Sequence, residues 1–204
     1  HDVTIIGAGR TDAGVHAVGQ TATFDTDRPI PIERVAAALN AALPSDISVV
    51  RAMEEAVDFH PRFHAVGKVY GYRILNRELP SPFIGRYAWH IPEPLEVDRM
   101  RAAAGQLLGR HDFVAFSSAG SAVQDTVRTL VRLDVQSEGE LLELRAEADG
   151  FLYTMVRRLV GALVRVGGGR LSVAQLVGIL EGGDRTRAPW IAPPQGLSLL
   201  KVIY

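Results

Sequence analysis

Gly7-Ala8-Gly9-Arg10-Thr11-Asp12-Ala13-Gly14-Val15-His16-Ala17 is the stretch on which the reading of this chain turns. Ahead of it, Val3-Thr4-Ile5-Ile6 has the β-branched content of a buried strand. Behind it, Val18-Gly19-Gln20-Thr21-Ala22-Thr23-Phe24 alternates like a second strand, so residues 3–6 and 18–25 are strand candidates. The Gly-rich segment is then a loop that carries one carboxylate, one arginine and one histidine. Glycine permits positive φ and lets another molecule approach the backbone, which suits a loop that presents charged groups for chemistry.

Three readings compete for it. In the plainest, the loop is a tight turn in which Asp12 or Thr11 bonds its own backbone. A dinucleotide-binding turn begins the same way, but Asp12 stands where the third glycine belongs, and a strand follows where a helix should open. A P-loop fails for want of Gly-Lys-Ser/Thr. In the third reading, Gly9-Arg10-Thr11-Asp12-Ala13-Gly14-Val15-His16-Ala17 resembles the catalytic signature of the TruA family of tRNA pseudouridine synthases.

Composition sets the outer bounds. A chain of 204 residues can form one large domain or two small ones with a proper core. There is no cysteine, which excludes disulfides, thiolate metal sites and cysteine nucleophiles. No apolar run reaches membrane-spanning length. The net charge of −1 does not announce a nucleic-acid binder, although binding depends on where positive charge lies rather than on its sum. Arginine supplies all the basic residues except Lys68 and Lys201, and it suits bidentate phosphate contacts and stacking on bases.

Read onward, residues 32–43 form an Ala-rich helix after Pro29-Ile30-Pro31, and residues 47–52 a short strand. Asp58-Phe59-His60-Pro61-Arg62-Phe63-His64-Ala65 is a loop whose two histidines lack a third ligand at metal spacing, so no metal is expected. The segment resembles the family's Phe-His-Ala-Arg-Phe, with Pro61 in place of alanine. The resemblance makes Arg62 a candidate contact to the RNA backbone. Lys68 to Leu75 alternates as a strand with Tyr70, Tyr72 and Ile74 on one face. Tyrosines on a strand are ordinarily core, and Tyr72 is read so. The family's tyrosine at the place of Tyr70 packs against the target base, and that role is carried to Tyr70.

A helix over residues 97–108 has Met100, Ala104, Leu107 and Leu108 as its apolar stripe. Gly109 to Phe116 resembles a structural segment of the family, and Ser117 to Ser121 reads as a flexible loop. Residues 127–136 and 141–149 form a hairpin through Ser137-Glu138-Gly139. Ser172 to Gln175 is a capping box for a last helix, and residues 197–203 close the chain as a strand. Arg185 to Pro194 is a basic, proline-rich segment expected to be an ordered surface loop.

Gly150-Phe151-Leu152-Tyr153-Thr154-Met155-Val156-Arg157-Arg158 is the second informative stretch. It opens a helix running to about Val166, which Gly167-Gly168-Gly169 stops. Arg157 emerges from a face of mostly apolar or small residues, where an unpaired guanidinium is costly, so it should have an anionic partner. A structural salt bridge elsewhere in the core is one answer. The match of Gly-Phe-Leu-x-x-Met-Val-Arg to the TruA family gives another, since there the arginine pairs with the catalytic aspartate, here Asp12.

The resemblance covers nearly the whole chain. It implies an α+β protein with the pseudouridine synthase fold, two small mixed subdomains whose antiparallel sheets join around a central cleft. Residues 1–56 would carry the catalytic loop and residues 57–204 the rest. The family opens with a further strand and helix not found from His1 onward, so a trimmed or shortened N-terminal subdomain is expected. The implied reaction is isomerisation of uridine to pseudouridine in the tRNA anticodon arm, at uridines 38, 39 and 40, without a cofactor. Asp12 would be the essential carboxylate, as nucleophile or as base, and Arg157 would orient it. Arg10 would fill the space of the flipped base and hold the backbone. The family further implies a cytoplasmic homodimer in which each tRNA touches both subunits. A non-catalytic RNA-binding module is the alternative, but it has no use for a carboxylate beside phosphates.

Overall fold

The computed structural model describes residues 3–27, 29–118 and 125–204. The chain opens with three two-residue strands, β1 (Ile6–Gly7), β2 (His16–Ala17) and β3 (Ala22–Thr23), followed by helix α1 (Ile32–Ala42). Strand β4 (Gly67–Asn76), β5 (Trp89–Ile91), helix α2 (Val97–Gly105) and β6 (Gly109–Asp112) come next. The rest is the hairpin of β7 (Val127–Glu138) and β8 (Leu141–Ala148), helices α3 (Met155–Gly167) and α4 (Val173–Gly182), and β9 (Leu197–Ile203).

Seven strands make one mixed sheet in the order β2-β9-β4-β8-β7-β6, with β5 also on β4. β4 is the hub. One edge pairs antiparallel with β8 from Lys68 to Leu75. The other is shared, with β9 antiparallel on Gly67 to Tyr72 and β5 parallel on Ile74 to Asn76. The small antiparallel ribbon of β1 and β3 stands apart from this sheet.

Alternation along the long strands explains why the helices lie on one face. In β8, Leu142, Leu144, Ala146 and Ala148 are buried while Glu143, Arg145 and Glu147 point the other way. The apolar set joins Tyr72 and Ile74 of β4 and Leu133 and Val135 of β7 in a single core. Helix α3 is the centre of the covering layer. It buries Leu159, Val160, Leu163 and Val166 and is apolar or small around most of its circumference, as a helix with neighbours on several sides must be. Ser172 Oγ accepts the Gln175 amide at 3.1 Å and Gln175 Oε1 accepts the Ser172 amide at 2.9 Å, completing the capping box that starts α4.

The α+β class expected from the sequence is the class observed. Several elements differ. The strands expected at 3–6 and 18–25 shrink to β1, β2 and β3, and β2 forms inside the Gly-rich loop itself. Residues 47–52 form no strand. They pair with no strand, and Asn40 instead fixes Val49 through both its amide and its carbonyl. The helix expected over 97–108 ends at Gly105, so Ala103 joins Met100 and Ala104 in the buried stripe while Leu108 is exposed. Residues 150–154 lie ahead of α3 rather than in its first turn, with Tyr153 and Thr154 in a turn. Thr154, at φ 61°, is in the left-handed region just before Met155. Of the expected flexible loop, Ser117 and Ser118 are placed, with Ser117 buried, while residues 119–121 lie outside the described residues. Among the described residues no helix is long and apolar enough to cross a membrane.

Candidate active site

The Gly-rich loop is held almost entirely through its backbone. Parallel pairing of His16 and Ala17 with Ser198 and Leu199 continues as Leu199 O accepts the amides of Val18 and Gly19 at 2.8 and 3.2 Å. On the other side, Ala8 donates to Thr21 O at 2.8 Å and Lys68 Nζ donates to Ala8 O at 2.9 Å. Gln20 Nε2 donates to Gly9 O at 3.0 Å. Between these anchors the chain turns sharply, with the Val15 amide on Asp12 O at 3.0 Å. Gly14 makes the turn possible. Its φ is +81°, and a Cβ there would also meet Pro194 Cγ at 3.1 Å.

That turn delivers Asp12 to Arg157. Arg157 Nη1 donates to Asp12 Oδ2 at 2.6 Å, and Arg157 Nε donates to Ala192 O at 2.7 Å. The Ala192 amide in turn donates to Arg157 O at 3.0 Å. The guanidinium is thus fixed in its plane by two acceptors, and the pair is charge-assisted and short. With side-chain exposures of 23% for Asp12 and 16% for Arg157, the pair is shielded yet open on one side. Among the described residues, no hydrogen bond falls on Asp12 Oδ1.

Tyr70 stands beside this pair. Its ring meets Phe151 edge-on, with centroids 5.2 Å apart and planes at 89°. Burial, and then the negative charge of Asp12, push its phenol up to about 12, so it remains a neutral hydroxyl near neutral pH. Tyr72 is fully buried, as expected of a core residue, and its hydroxyl donates to Pro193 O at 2.8 Å. Burial raises its pKa too, against an opposing effect of the Arg157 charge.

The two remaining candidates lie outside this cluster. Arg10 is exposed on the same loop two residues before Asp12, without a hydrogen-bond or ion-pair partner among the described residues. Arg62 is exposed, 5.8 Å from the Phe63 centroid. Its charge reaches Lys68, whose pKa is lowered first by burial and then by Arg62. His60 and His64 are occupied with local backbone. His60 Nδ1 accepts the amides of Arg62 and Phe63, and His64 Nδ1 accepts that of His60.

Two contributors escaped the sequence reading. The segment from Ala188 to Gly196 is no mere surface loop: Ala188, Ala192 and Gly196 are buried. Ala192 holds Arg157, Pro193 holds Tyr72, and Pro194 backs Gly14. Its signal was Pro193-Pro194-Gln195-Gly196 directly before a strand. A side chain on Gly196 would lie 2.6 Å from the Tyr72 ring, so only glycine admits this closeness. Lys68, which clamps Ala8, was the other, an isolated lysine in an arginine-rich chain.

Comparison with known proteins points to one family. A family described as tRNA pseudouridine synthase matches residues 1–64 and 103–204. The chain is 46% identical to the tRNA pseudouridine synthase A of Thermoanaerobacter sp. (strain X514) over 203 residues, which is 100% of this chain and 83% of the relative. It is 42% identical to tRNA pseudouridine synthase A 2 of Clostridium perfringens over 203 residues, again 100% of this chain and 83% of that protein. The tRNA pseudouridine synthase A of Moorella thermoacetica is 45% identical over 203 residues, 100% of this chain and 82% of the relative.

Proposed function

This chain belongs to the TruA family of tRNA pseudouridine synthases, and we propose that Asp12, Arg157 and Tyr70 form its reaction centre. The chain is an isomerase that converts uridine to pseudouridine in tRNA. The N1–C1′ bond breaks, the base turns, and C5 bonds to C1′. N1 gains a proton and C5 loses one, so atoms balance without an outside reagent.

In our reading Asp12 is the essential carboxylate. The observation that carries it is the 2.6 Å pair with Arg157, which supplies the countercharge and leaves one carboxylate oxygen open. Both roles, attack on C1′ and removal of a sugar proton, are compatible with that oxygen. Tyr70 offers a ring held edge-on by Phe151, which suits stacking on a flipped uracil. Arg10, unengaged on the loop, takes the space vacated by the base and grips the backbone, and Arg62 contacts the RNA farther out. We extend the proposal to uridines 38, 39 and 40 of the anticodon arm, to a cytoplasmic homodimer, and to subdomains 1–56 and 57–204 meeting at the site.

Release of tritium from C5-labelled uridine in unmodified tRNA tests the reading. The parent chain should release label, and Asp12→Ala, still folded, should release none. Release by Asp12→Ala at the parent rate would sink the assignment. A folded parent that binds tRNA without release would favour an RNA-binding module. Mapping the pseudouridines formed tests the three positions, and sedimentation tests the dimer.

A further inference from the structure

A second concavity lies along α3 from the reaction centre. Arg157, Gly161, Val164 and Arg165 succeed one another on one side of the helix, and the two arginines are eight positions apart, or about 12 Å along the helix axis. The segment Trp190-Ile191-Ala192 bridges that distance. Ala192 holds Arg157 at one end, and Trp190 presses on Gly161, where a Cβ would lie 2.8 Å from Trp190 O. At the far end a cavity of about 370 Å³ opens between Trp89, His90, Trp190, Arg165 and Arg170.

The chemistry of this cavity is unspent. The Arg165 guanidinium lies 4.6 Å from the Trp190 centroid, yet its Nε is buried without a hydrogen-bond partner among the described residues. A buried donor left unpaired is costly and calls for an acceptor. Arg170 stands exposed at the rim. Glu93 also lines the cavity, but neither arginine forms an ion pair among the described residues. Two unpaired guanidinium groups beside two indoles match a phosphate joined to a flat ring. The volume is in the range of small-ligand sites, and unstacked RNA bases settle on aromatic and guanidinium planes.

We propose that this cavity is a second RNA subsite, taking one nucleotide outside the reacting uridine with its phosphate at Arg165 and Arg170 and its base against the tryptophans. The proposal rests on the reading of the chain as a tRNA-modifying enzyme and adds a contact fixed in distance from the reaction centre by a rigid helix.

Trp89 and Trp190 are the only tryptophans in the chain and both line this cavity, so tryptophan emission, excited apart from the tyrosines, reports on it. Titration with unmodified tRNA and with a short oligouridylate should change the emission saturably. The double substitution Arg165→Gln, Arg170→Gln should abolish that change and raise KM for tRNA about tenfold, with the effect on KM rather than kcat. The dependence of log KM on log salt should become shallower by about one for each arginine that grips a phosphate. If the double variant misfolds, Arg170→Glu at the exposed rim carries the same test. Silent tryptophans during normal turnover, or an unchanged salt slope, would overturn the subsite and leave the reaction centre standing. An equal response to inorganic phosphate alone would reassign the cavity to small anions. An emission response to oligouridylate in a chain that never releases tritium would remove the catalytic reading and keep the subsite.

Discussion

Residues 3–66 and 67–204 hold their structure by different means. In the later stretch, α3, α2, α4 and one face of the sheet enclose a continuous core. In the earlier one, among the described residues, Ala8 is the only buried member of the hydrophobic core, and α1 buries none of its residues. Val18, Val57 and Phe63 stand largely in solvent, and Val50 is 88% exposed. Yet the early stretch supplies Asp12. Its Gly-rich loop is placed by backbone hydrogen bonds to β9, by Lys68 on Ala8, and by the ion pair, with little help from buried area. Positional accuracy at the site is therefore borrowed from the well-packed region through a narrow seam.

The sharpest way to break this comparison is to cut matching side chains on both sides. Leu163→Ala in α3 should cost about 2–5 kcal/mol in denaturant unfolding, whereas Val35→Ala in α1 should cost less than about 1 kcal/mol. Equal costs would mean that α1 is covered in solution by something that packs against it.

Arg157→Lys tests the seam's charged tie. Lysine keeps the charge but loses the planar fork that serves Asp12 and Ala192 together, so turnover should fall about 10–100-fold with the fold retained. A parent-like rate would show that charge alone suffices.

Gly19→Ala tests the seam's backbone tie. The added methyl would sit 2.3 Å from Leu200 O, in a place only backbone movement can clear. We expect about 1–3 kcal/mol of strain at the docking of β2 on β9, read as lost amide protection in residues 16–19 and slower turnover. Unchanged protection there would place the loop's anchor elsewhere.

The smallest effect concerns pH. Tyr70 has a folded pKa of about 12 against an ordinary 10, so its protonated form is favoured by folding. The stability this contributes is complete below about pH 10 and is lost as pH rises toward 12. Tyr70→Phe should flatten the stability profile in that window and delete one late-titrating phenol from the ultraviolet titration. An unchanged late titration would mean that Tyr70 is not buried beside Asp12.

Legibility in the sequence followed the locality of each interaction. The capping box at Ser172, the hairpin at Gly139 and the strand of Tyr70 and Tyr72 depend on neighbours in the chain, and all were readable. The short strands around the Gly-rich loop were not, because their lengths depend on which edges of β9 and of each other they meet. Residues 47–52 show the same limit from the other side: a strand-like composition stays irregular where the backbone is bonded to a side chain, here Asn40, instead of to another strand. The expected surface loop Arg185 to Pro194 is exposed at its arginines but was misjudged from Ala188 onward, because its prolines suggest solvent while its burial comes from lying across α3.

By itself the sequence determined the α+β class, the family, and the pair of residue types that had to meet. A buried-facing arginine needs an anion, and only one carboxylate stood in a motif that matched. Tertiary structure alone decided how the meeting happens. Asp12 and Arg157 are 145 positions apart, and no local rule links them. Their 2.6 Å contact follows from a parallel strand pair, a left-handed glycine and a carbonyl at Ala192. Each of these is a constraint between distant pieces of backbone, which residue patterns along the chain do not record.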